Sequence, residues 1–126
     1  MPLCERIKYI HEPTDLQCGQ AVLAMLAGVS VDEVVSVVGT DSETTLRDMF
    51  SALDYFGFSY SRERKQANNI SDLPSICILS LETPRCWHWS LWYKGTVYDP
   101  EHGVLNDFPD SNRKYYFEIF DKTVTE

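Results

Sequence analysis

The sequence predicts an α+β fold in which N-terminal helices pack on one side of an antiparallel β-sheet. Three observations carry this prediction. Apolar residues recur at helical spacing as far as Gly57, the period then changes from 3.6 to 2, and two of the later apolar runs are joined by the tight turn Lys94-Gly95.

Taken in order, residues Arg6 to Ile10 alternate weakly and read as a short leading segment. It stops at Glu12-Pro13, because proline disfavours helix in the residue before it. A first helix is expected from Cys18 to Ala27, apolar on all sides after Gln20 and therefore central, and ended by Gly28. Ser30 caps a second helix, Glu33 stands where a capping box needs it, and Val31, Val34, Val35 and Val38 form the face that packs on the first. A third helix starts between Ser42 and Thr45, carries Leu46, Met49, Phe50, Leu53 and Phe56 on one stripe, and ends at Gly57. That stripe reads as core.

Strands follow. Phe58 to Ser61 is a short one, Ser75 to Leu81 is apolar enough to be buried on both faces, and Trp87 to Tyr93 pairs with Thr96 to Asp99. The last is Lys114 to Phe120, and the six residues after it read as a frayed polar tail. The intervening loops, Gln66 to Asp72 and Pro100 to Asn112, look long enough to move and poor in apolar anchors, and the sequence does not say whether either gates access to a site.

The 126 residues suit one domain, residues 1–126, and 44% apolar content supplies its core. A net charge of −8 argues against nucleic acid and anionic membranes as partners. The one basic cluster, Arg62 to Lys65, includes a glutamate and reads as a solvated strand end. No apolar run is long enough for a membrane span, and the N-terminus lacks the order of a signal peptide, so a cytoplasmic location is expected. Cysteines 4, 18, 77 and 86 have no CxxC spacing and are expected as free thiols, Cys77 in the core. A His/Cys metal site around Cys86 and His88 is a minor alternative.

Chemistry concentrates at Cys18. A cysteine opening a helix sits among unpaired backbone N–H groups at the positive end of the helix dipole, a setting that favours a thiolate. The same residue would also serve as buried core, so the choice turns on whether the chain supplies a base. If Lys94-Gly95 is a two-residue loop, facing residues of the hairpin have numbers summing to 189. His88, Ser90 and Asp99 then share a face, with His88 diagonal to Asp99. A three-residue loop would break that register. Histidine beside carboxylate is a base with an orienting partner, which is what a cysteine nucleophile requires.

The segments Gln17-Cys-Gly-Gln-Ala-Val-Leu-Ala-Met-Leu-Ala-Gly28, His88-Trp-Ser-Leu91 and Val97-Tyr-Asp-Pro-Glu-His-Gly103 resemble the papain-like cysteine peptidases of the bacteriocin-leader (double-glycine) peptidase superfamily, over roughly residues 8 to 105. The resemblance implies a papain-like fold with Cys18 as nucleophile, His88 as general base and acid, and Asp99 as orienter. It also implies a glutamine about six residues before the cysteine, whose amide joins the cysteine N–H in the oxyanion hole. Here that residue is Glu12, and a carboxylate would repel an oxyanion. Three repairs are open: Glu12 protonated by burial, Gln17 or His11 as donor instead, or a hole made of backbone alone.

The function expected is thus a cysteine hydrolase or peptidase, cleaving a peptide or isopeptide through a thioester on Cys18. Trp87, Trp89 and Trp92 are candidates for walls of a substrate groove. No metal or organic cofactor is implied, and nothing in the pattern specifies an oligomeric state. The alternatives are a papain-like binding module that has lost turnover, a thiol acyltransferase or deamidase, and an effector delivered into another cell.

Overall fold

The computed structural model describes residues 7–84 and 86–120. The expectations for Cys4, for Arg6 and for the polar tail lie outside these residues.

Helix α1, Cys18–Ala27, is buried along its length from Cys18 to Leu26. It ends as expected at Gly28, whose φ of 73° is the left-handed value glycine accepts without strain. Its first turn has no side-chain cap, because Gln17 makes none. Helix α2, Val31–Val38, starts where the Ser30 hydroxyl accepts a hydrogen bond from Glu33 N–H; of the expected capping box this half is formed. The reciprocal pair belongs to α3, Leu46–Tyr55, where Thr45 and Asp48 cap each other. Val34, Met49, Ala52 and Leu53 bury the faces of α2 and α3 against α1.

Seven strands follow among the described residues: β1 Ser59–Tyr60, β2 Lys65–Gln66, β3 Ile76–Glu82, β4 Trp87–Tyr93, β5 Thr96–Asp99, β6 Gly103–Leu105 and β7 Arg113–Phe120. All pairings are antiparallel, in the order β1-β7-β3-β4-β5-β6, with β2 also on β7. Three helices on an antiparallel sheet make the α+β architecture expected. Strand β3 is central, and its two faces feed two clusters. Ile76 and Ile78 join Leu91, Tyr93 and the helices, whereas Cys77, Leu79 and Leu81 join Trp92 and Val97 on the far side.

That far side corrects the reading of the loops. Ile70 and Leu73, from a stretch containing a 3₁₀ turn at Ile70–Asp72, pack on the second cluster, and so do Leu105 and Phe108. Both segments are therefore anchored covers for the sheet, and β6 runs through the second of them. Single apolar residues isolated among polar ones give too weak a pattern to show this.

The hairpin has the expected register: Tyr93 faces Thr96, Trp92 faces Val97 and Leu91 faces Tyr98. Lys94 and Gly95 both have positive φ, 49° and 95°, the conformation that tight two-residue hairpins favour. The next hydrogen-bonded rung would join Trp89 to Pro100, and there the ladder opens. Pro100 has no N–H to give, and its carbonyl accepts from Glu12 N–H at 2.9 Å. The N-terminal segment enters at this opening.

Candidate active site

Cys18 lies where α1 meets the opened hairpin. The backbone N–H of Trp89, released from the ladder, donates to Cys18 Sγ at 3.4 Å. Close approach depends on Gly19. A Cβ there would fall 2.0 Å from Thr44 Oγ1, 3.0 Å from Met49 Sδ and 3.1 Å from Trp89 Cδ1, so only glycine lets the start of α3 close over the start of α1. The Trp89 indole completes the junction by donating to the Thr44 carbonyl.

His88 and Asp99 form a buried pair. His88 Nε2 is 3.1 and 3.0 Å from the two carboxylate oxygens, and Asp99 is wholly buried. Backbone N–H groups of Glu101 and His102 donate to Asp99 Oδ1 and fix the carboxylate, while the Tyr9 hydroxyl donates to the Asp99 backbone carbonyl. Burial opposes charge on His88, but the hydrogen bonds and charges of Asp99 and Cys18 outweigh it and hold the imidazolium up to a pKa of about 10. Burial likewise works to raise the Asp99 carboxyl, and His88 with the two backbone donors keeps it below the usual carboxylate range. Cys77 differs: burial pushes its thiol well up, as befits a core cysteine.

Glu12 is 6% exposed, and its Oε1 has no hydrogen-bond partner among the described residues. Burial raises its carboxyl above the ordinary range, with His88 pulling it back and the charges of Glu101 and Asp99 pushing it further. Ligand atoms of Glu12, Cys18 and His88 all lie within 4.8 Å of one another. Of the other two oxyanion candidates, Gln17 is buried with its carbonyl oxygen accepting from Thr14, while His11 is exposed.

A cavity of about 690 Å³ opens beside Cys18 and His88, lined by Trp87, Trp89, Thr44 and Leu46 among others. Of the three tryptophans expected as groove candidates, Trp87 and Trp89 line this cavity. Trp92 does not: it points to the opposite face of the sheet, buried in the second cluster with its indole donating to Pro74. Alternation along β4 explains the split, since Trp87 and Trp89 share one face and Trp92 the other. Cys86 also lines the cavity.

Several contributors were not visible in the sequence. The Trp89 N–H and the Glu101 and His102 N–H groups are backbone donors, which no residue type announces. Gln20 was passed over as a helix residue, yet it is fully buried and its amide donates to the Thr40 and Ser42 carbonyls, tying the α2–α3 connection to α1. The Cys-Gly pair could have flagged Gly19, because glycine inside a helix costs stability unless space demands it.

No single helix among the described residues is long and apolar enough to cross a membrane. No protein-family model matches the chain, and no curated protein matches it in sequence. Among solved structures it is similar to the crystal structure of a double glycine motif protease from an AMS/PCAT transporter in complex with the leader peptide. The identity is 17% and the TM-score 0.65, covering 94% of this chain and 98% of that chain. At that identity the likeness is one of architecture, and the chain has the fold of a double glycine motif protease.

Proposed function

We propose that the protein is a cysteine peptidase acting on a peptide or isopeptide through a thioester on Cys18. One observation carries the reading: His88 is held by both oxygens of buried Asp99 while its ring lies within 4.8 Å of the Cys18 sulfur and the Glu12 carboxylate. Cys18 and His88 thus line the cavity, with Asp99 buried behind the histidine.

In the first half-reaction the Cys18 sulfur bonds to the substrate carbonyl carbon. The carbonyl oxygen becomes an oxyanion facing the uncapped first turn of α1, with Cys18 N–H as donor. Collapse breaks the C–N bond, and His88 gives its proton to the departing amine. Water then attacks the thioester, His88 takes its proton, and the Cys18 sulfur leaves, which releases the acid. Asp99 keeps the imidazole oriented throughout. A peptide with small residues at the scissile bond suits a groove walled by Trp87 and Trp89. The double glycine motif protease with a similar fold was solved with a leader peptide, which supports a peptide ligand here. Cys18, Cys77 and Cys86 are free thiols, which fits a reducing compartment such as the cytosol.

Glu12 favours a second reading. A carboxylate beside the oxyanion position suits a peptide-binding module without turnover, and the same thioester step would equally serve an acyltransferase or deamidase.

The test is a peptide ending in glycylglycine aldehyde, applied with a metal chelator present. The peptidase reading predicts a reversible adduct on Cys18, seen as loss of alkylation at that residue alone and absent in Cys18→Ser. A peptide that binds yet leaves the Cys18 alkylation rate unchanged would establish the binding module instead.

A further inference from the structure

Glu12 Oε1 is the unexplained atom of the site. A carboxylate oxygen that is buried without a partner among the described residues is costly. We propose that Glu12, Cys18 and His88 together form a binding site for a zinc-class metal ion, built across the nucleophile.

The donor set specifies the class. A thiolate, an imidazole and a carboxylate are the ligands zinc takes in proteins, whereas magnesium and calcium seek oxygen alone. All three ligand atoms lie within 4.8 Å of one another, and all three residues are buried. A tetrahedral zinc with bonds of roughly 2.0–2.3 Å needs its ligands about 3.3–3.8 Å apart, so no separation need shorten by more than about 1.5 Å. Rotation of the Glu12 side chain, whose Oε1 has no hydrogen-bond partner among the described residues, can shorten its distances to the other two ligands.

The surroundings also suit a metal. Asp99 occupies His88 Nε2, which leaves Nδ1 for the ion and makes the carboxylate–histidine pair that commonly backs zinc ligands. Trp89 N–H on the Cys18 sulfur is a second outer partner. Three protein ligands leave a fourth position, which the adjoining cavity opens to water. Binding stands whether or not the thiol turns over. Its consequence, that a metal-held sulfur cannot attack a carbonyl, rests on the peptidase reading.

The experiment titrates the reduced, chelator-stripped chain with Co²⁺ and then Zn²⁺. One Co²⁺ should bind with a thiolate-to-cobalt charge-transfer band in the near ultraviolet, and Zn²⁺ should displace it. Cys18→Ser should abolish the band and Cys86→Ser should keep it. Glu12→Gln should weaken Zn²⁺ binding at least about tenfold. On the unmutated chain, Zn²⁺ should slow alkylation of Cys18 and leave Cys86 unaffected. The site is refuted by absence of the band, by its loss in Cys86→Ser, by unchanged affinity in Glu12→Gln, or by unchanged alkylation of Cys18. The aldehyde test runs without metal, so the peptidase reading and the metal site can each fail alone.

Discussion

Trp89 and Pro100 are the first facing hydrogen-bonded pair of the β4–β5 hairpin that does not close. Their free groups are taken by residues from the N-terminal segment, Trp89 N–H by the Cys18 sulfur and the Pro100 carbonyl by Glu12 N–H. A proline that ends one rung of a ladder thus creates the opening in which a thiol, an imidazole and a carboxylate meet.

Asp99→Asn should lower kcat by about 10²–10⁴ while leaving the fold intact, since the amide oxygen still accepts from Glu101 and His102. Steady-state kinetics alongside a thermal melt will check this. A loss of only a few-fold would remove Asp99 from the role of orienter.

Gly19→Ala should destabilise the protein by about 1–3 kcal/mol or more, because the new methyl collides with Thr44, Met49 and Trp89 at the junction of α1, α3 and β4. Denaturant midpoints give the measurement. An alanine accepted without cost would mean that the start of α3 does not close on α1 as described.

The tryptophans should separate. Trp87 is 48% exposed beside the cavity, so Trp87→Ala should raise KM for a peptide substrate with little change in stability. Trp92→Ala should cost about 3–5 kcal/mol in stability, because it empties the second cluster and leaves the Pro74 carbonyl without its donor.

Glu12→Gln should raise kcat when metal is chelated, since the glutamine amide supplies an oxyanion donor of the kind whose removal costs about 10²–10³ in other enzymes. Assays with and without chelator will read both effects of the residue. A lower kcat in the variant would give Glu12 a positive part in the chemistry.

Much of this was legible in the sequence where a single residue type fixes a local conformation. Gly28 and Gly39 end their helices with positive φ, Ser30 starts α2, and Lys94-Gly95 sets a register that puts His88 beside Asp99. Elements defined only by a distant partner were not. Strands β1 and β2 are two residues each and exist because β7 pairs with them, and β6 exists because β5 does. The two long loops read as poor in apolar anchors for the same reason, since Ile70, Leu73 and Phe108 show their anchoring only once the far face of the sheet is built. At the site, side chains were legible and the backbone donors that hold them were not.

The central claim is that Cys18 is the activated thiol of this chain, and limiting iodoacetamide at about pH 6 tests it most directly. With metal chelated and the label located by mass spectrometry, Cys18 should be alkylated well before the exposed Cys86, and His88→Ala should abolish that preference. If Cys18 reacts no faster than Cys86, the nucleophile has been misassigned.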